Sequence, residues 1–155
     1  MRRLFFTGLV VLTISGLWLA WQLGRTSTSD TASLEAIATG RTLYALHCVS
    51  CHGAQLEGQP DWRTPLPTGR LPAPPHDAGG HTWHHSDDLL FQIVKEGTAA
   101  VVGGGYESDM PGFGNILNDA EILTLLDFIK STWPERERLY QADMSRMDRA
   151  TEELE

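Results

Sequence analysis

Two cysteines are all that these 155 residues contain, and both fall within four positions of each other. A disulfide framework is therefore excluded, and the fold must be held by its core or by a cofactor. Basic residues are also few: 12 Lys and Arg stand against 20 Asp and Glu, for a formal charge of −8, and no basic run gathers them. A phosphate-binding surface needs clustered cations, so nucleic acid is excluded as a partner. No segment repeats at a fixed period, and no stretch alternates strongly enough to make a strand. One helical core is expected.

What is present begins with a membrane signal. Met1-Arg2-Arg3 precedes an uncharged, mostly apolar stretch from Leu4 to Leu23, and about 20 residues rising 1.5 Å each span the roughly 30 Å hydrocarbon layer. The positive flank places the N-terminus inside and everything after Gly24 outside, with Trp18 and Trp21 where an interfacial belt would lie. A cleaved secretory signal is the competing reading, although Trp18-Leu19-Ala20 puts a bulky residue where cleavage wants a small one. Both readings export the remainder. Residues 1–24 hold two arginines and no acid, so the exported part carries 10 basic and 20 acidic residues, a formal −10. Residues 25–36 open with "RTSTSDTAS", small and polar, and are expected to form a tether.

Next comes a helical pattern, with Ile37, Gly40, Tyr44 and Cys48 recurring on one face. It leads into "HCVSCHG", where Cys48, Cys51 and His52 stand at i, i+3 and i+4 and project to one side. Thioredoxin-like chemistry would want a preceding strand, and structural zinc a second pair of ligands that only His76, His81, His84 and His85 could supply. Cys-x-x-Cys-His is instead the attachment pattern for a c-type haem, with two thioethers to the vinyl groups and the histidine under the iron. The opposite face of the iron could be taken by Met110, Met144, Met147, another histidine, or nothing. Met110 has the strongest case, since it sits in the glycine-rich "VVGGGYESDMPGFGNILND", a loop able to fold over a flat cofactor. A thioether opposite a histidine raises the reduction potential, which suits electron transfer.

These pieces resemble the class I cytochrome c family over residues 37–133: Gly40 and Tyr44 ahead of "CVSCHG", "MPGF" 58 positions beyond His52, and a last helix carrying Phe128. The resemblance implies an all-α fold of about four helices around one covalently attached haem c. It also implies that the first and last helices cross where Gly40 lets Phe128 approach, and that a backbone carbonyl holds the other nitrogen of the proximal imidazole. The Pro-rich stretch from Pro60 to Pro75 departs from the family pattern and leaves that carbonyl unassigned.

The helices can be placed from the residues themselves. Ser86 caps "DDLLFQIVKE", whose apolar face is Leu89, Leu90, Ile93 and Val94 and whose stop is Gly97; Asn118 with Glu121 caps a helix striped by Ile122, Leu126, Ile129 and Trp133. From Pro134 to the end, residues 134–155, a charged helical tail is expected, with Tyr140, Met144 and Met147 as its thin packing stripe. It either lies loosely on the domain or docks a partner. Four of six histidines, His76, His81, His84 and His85, cluster in "PPHDAGGHTWHHSDD" and could bind copper or zinc, or pack at a haem edge. Trp62, Trp83, Arg63 and Arg70 are candidates for that edge and its propionates.

The combined expectation is a single-pass protein of a bacterial inner membrane with residues 37–133 as a periplasmic haem domain. It would not be an enzyme, but would pass one electron between a redox donor and an acceptor such as a membrane oxidase or dehydrogenase. His52 and Met110 would hold the iron, and Cys48 and Cys51 the haem. Two alternatives stand beside it: a haem sensor or small enzyme with a labile sixth ligand, and a copper-handling protein built on the His76–His85 cluster.

Overall fold

The computed structural model describes residues 33–153. The chain divides into two units, residues 1–35 and residues 36–155. The expected membrane anchor lies outside the described residues, as does most of the expected tether. Among the described residues, no helix is long and apolar enough to cross a membrane.

The described chain is helical, with one isolated bridge between Gly97 and Pro111 in place of any strand. Helix α1 covers residues 33–47, taking in the end of the expected tether, and a one-turn α2 (Val49–His52) follows Cys48. A long irregular segment leads to a single 3₁₀ turn at Thr82–His84, then α3 (Asp87–Glu96), the short α4 (Thr98–Val102), α5 (Asp119–Ser131) and α6 (Glu135–Glu152).

The expected caps form. Ser86 Oγ accepts from the Leu89 amide, and Asn118 and Glu121 complete a reciprocal capping box, each satisfying amides that a helix start leaves unpaired. Gly97 ends α3 at φ +90°, a conformation that L side chains rarely adopt.

The core is built on α5, where Ile122, Leu125, Leu126, Phe128 and Ile129 are buried together with Trp133 just beyond its end. Helix α1 crosses it at Gly40. A Cβ there would stand 2.2 Å from the Thr124 carbonyl oxygen and 2.7 Å from Phe128 Cβ, so only glycine permits the approach. One turn on, Tyr44 meets the Phe128 ring at 5.6 Å. The crossing implied by the family resemblance is present.

Helix α6 corrects an expectation. Its docked face is polar, with Glu137, Gln141 and Ser145 buried, while Tyr140 and Met147 are 43% and 56% exposed. The surface it meets explains this. At the start of α3, the Asp87 amide donates to Ser145 Oγ at 2.9 Å, Gln141 Nε2 donates to Asp87 Oδ1 at 2.9 Å, and Ser86 Oγ donates to Asp148. A helix N-terminus offers unsatisfied donors, so it is matched by a polar stripe rather than an apolar one.

Candidate functional site

The cysteine motif takes its geometry from the end of α1. The Cys48 amide donates to Tyr44 O at 2.9 Å, and the Cys51 and His52 amides donate to Cys48 O at 3.1 and 2.9 Å. The three side chains thus hang from one helical turn. No disulfide joins the two thiols; Cys48 is half-buried against the core and Cys51 exposed. Burial, reinforced by neighbouring Cys51, pushes the Cys48 thiol up to about 11. At neutral pH it stays protonated, which slows closure of a disulfide across the pair.

His52 is buried, and its Nδ1 lies 2.8 Å from the Pro74 carbonyl oxygen. A carbonyl can only accept, so Nδ1 carries the proton and Nε2 keeps its lone pair. Burial lowers the pKa of His52 against the opposing effect of the Pro74 bond, and a neutral imidazole is the ligating form. The carbonyl that the Pro-rich stretch left unassigned is therefore that of Pro74. It is held there because the segment folds back on itself: the Gln59 amide donates to Ala73 O at 2.9 Å and the His76 amide to Leu56 O at 2.8 Å. Gly58 lets Pro75 approach, since a Cβ would stand 2.4 Å from its nitrogen.

Met110 lies on a loop laced to the end of α3. The Phe113 and Gly114 amides each donate at 2.9 Å, to Val94 O and Lys95 O. Thr98 Oγ1 donates to the Met110 sulfur at 3.3 Å, leaving the thioether a second lone pair. Phe113 reaches His47, the residue before Cys48, with ring centroids 6.0 Å apart. Met110 and Cys48 also pack against the same core. Arg70, considered above for a propionate, instead pairs with Glu107 and Asp109 and pins this loop from outside.

Of the four clustered histidines, His81 and His85 stay in edge contact with ring centroids 5.3 Å apart, while His76 and His84 turn to other partners. His76 stacks on His52 with centroids 3.9 Å apart, bonds Thr82 Oγ1 through Nδ1 at 2.8 Å, and receives the Trp133 indole N–H on its carbonyl at 2.7 Å. His81 stacks on Trp62, and His84 on Trp83. Among the described residues no group of three His, Cys, Asp or Glu stands so as to hold a metal ion, so these histidines do not by themselves assemble a three-ligand site. Two buried polar atoms nearby, His81 Nδ1 and Trp83 Nε1, have no hydrogen-bond partner. Such orphans are costly unless something else satisfies them.

A thiol pair, a neutral imidazole and a half-buried thioether suit a haem. The Cytochrome c family model matches residues 37–133. The chain belongs to the cytochrome c family. As a cytochrome c it is a haem-based electron carrier with covalently attached haem c, for which Cys48-x-x-Cys51-His52 has the attachment spacing. When bound, that group supplies an iron that cycles between ferric and ferrous. No curated protein and no solved structure matches the chain. Helix α6 lies beyond the residues that the cytochrome c model covers.

Three residues at this site escaped sequence reasoning. Pro74, His76 as a stacking partner, and Thr98 act through contacts that cross 22, 24 and 12 positions, and no local pattern announces them.

Proposed function

We propose that this cytochrome c is a membrane-tethered one-electron shuttle at the outer face of a bacterial inner membrane, with His52 and Met110 as permanent axial ligands and Cys48 and Cys51 as the haem attachment. The observation that carries the His52 assignment is its hydrogen bond to the Pro74 carbonyl at 2.8 Å, which fixes the tautomer and leaves Nε2 its lone pair. The Thr98 hydroxyl and the α3 lacing hold Met110 in a loop with little freedom to swing away. Keeping both ligands limits rearrangement when the electron arrives or leaves. The apolar run from Leu4 to Leu23 and its arginine flank support the tether, and redox proteins are the partners that fit a carrier without substrate.

The test is the visible spectrum of the dithionite-reduced protein before and after carbon monoxide at neutral pH. An unchanged spectrum is expected from a filled sixth position. A clear shift would mean a labile sixth ligand and would replace the carrier with a sensor or small enzyme.

A further inference from the structure

Helix α6 presents two kinds of side chain beside its buried polar stripe. Met144 and Met147 lie on the flank that faces the His84-His85 pair, and the four side chains line one open cleft of about 350 Å³, with Leu89 and Asp148 at its walls. Two imidazoles and two thioethers in one cleft form a soft donor set. Thioethers bind zinc, magnesium and calcium poorly, whereas thioether with imidazole selects the cuprous ion.

The surroundings suit a soft cation. His84 stacks on Trp83 at 3.7 Å and meets the edge of Tyr140 at 5.2 Å, so one donor is oriented by aromatic faces that themselves attract cations. Met147 is 56% exposed and therefore able to close over an ion by rotation about its three flexible bonds. Asp148, bonded to Ser86, brings negative charge to the wall. Tyr140, Met144, Met147 and Asp148 belong to α6, outside the cytochrome c match, whereas Trp83, His84, His85 and Leu89 lie within it.

We propose that His84, His85, Met144 and Met147 form a cuprous-ion site at the junction of α6 with the haem domain, separate from the haem ligands. The proposal does not depend on Met110 ligating the haem iron.

The experiment is a competition titration of the reduced, haem-loaded full chain with Cu(I), under anaerobic conditions, against a chromophoric cuprous chelator. One equivalent of copper should be withheld from the chelator. Met147→Leu keeps volume and sits at the exposed rim, so the haem spectrum and melting temperature should be unchanged. Its copper affinity should fall by at least the roughly 10- to 100-fold that losing even a supporting partner costs a metal site. Met144→Leu with Met147→Leu should abolish retention, and His84→Asn should weaken it similarly. A parent protein that withholds no copper, or a Met147→Leu variant that binds it as tightly as the parent, would overturn the proposal.

Discussion

At the scale of single residues, the site is governed by what each donor is denied. His52 cannot turn its Nδ1 to a ligand, because the Pro74 carbonyl holds it, and burial keeps the ring neutral. Met110 has one lone pair engaged by Thr98 and its backbone fixed between Ser108 Oγ, which accepts from its amide, and the bridge at Pro111. In the proposed ligation, replacing that thioether removes the soft ligand that favours ferrous iron. Met110→Ala should therefore lower the reduction potential and let carbon monoxide or imidazole bind the reduced protein, as read by spectroelectrochemical titration. A variant with the parent's potential and spectrum would assign the sixth position to another residue. The haem-attachment spacing was legible in the sequence, because Cys-x-x-Cys-His carries its chemistry in consecutive letters, and the glycine-rich Met-Pro marks Met110 as the candidate for the sixth position. The stacking of His76 on His52 was not legible, since it depends on how residues 53 to 75 fold back.

At the scale of elements, the crossing of α1 and α5 sets the frame from which the cysteine motif hangs. Gly40 is the point of closest approach, and a methyl there meets a backbone carbonyl at 2.2 Å that has no rotamer by which to yield. Gly40→Ala gains about 1 kcal/mol in helix propensity, yet overpacking of a fixed contact costs about 1–3 kcal/mol. A net loss is expected, seen as a melting temperature lower by several degrees in the haem-loaded protein. An equal or higher melting temperature would mean that α1 can slide along α5. Caps and apolar stripes were read correctly for α3 and α5, because their docking partners are apolar and the 3.6-residue period reports burial directly. The same reasoning failed for α6. There the docking surface is the start of α3, so Gln141 and Ser145 turn inward while Met147 is left at the edge of a cleft. Hydrophobic periodicity has no means of detecting a helix held by hydrogen bonds.

At the scale of the whole molecule, the buried imidazoles and the α3–α6 network make stability depend on pH in one direction. Burial, then the nearby His52 and His81, holds His76 well below its ordinary value of 6.5. Burial is also the leading cause of the lowered values of His81 and His85. The unfolded chain takes up these protons near pH 6.5 while the folded chain resists them, so below that pH the unfolded state binds more protons and stability falls as pH falls. Asp87 adds a later step. Burial pushes its carboxyl up, but the bonds from Lys130, Gln141 and Ser145 prevail and set it below its ordinary 3.8. Its contribution is complete above that pH and is lost as pH drops through the folded value. Urea denaturation of the haem-loaded protein should thus give a constant midpoint above about pH 7, a decline below about pH 6.5, and a further decline below about pH 4. Asp87→Asn should remove the acid step and leave the first, because it takes out the carboxylate without touching the histidines. A midpoint unchanged from about pH 7.5 to about pH 5 would show that these imidazoles accept protons in the folded state as readily as in water.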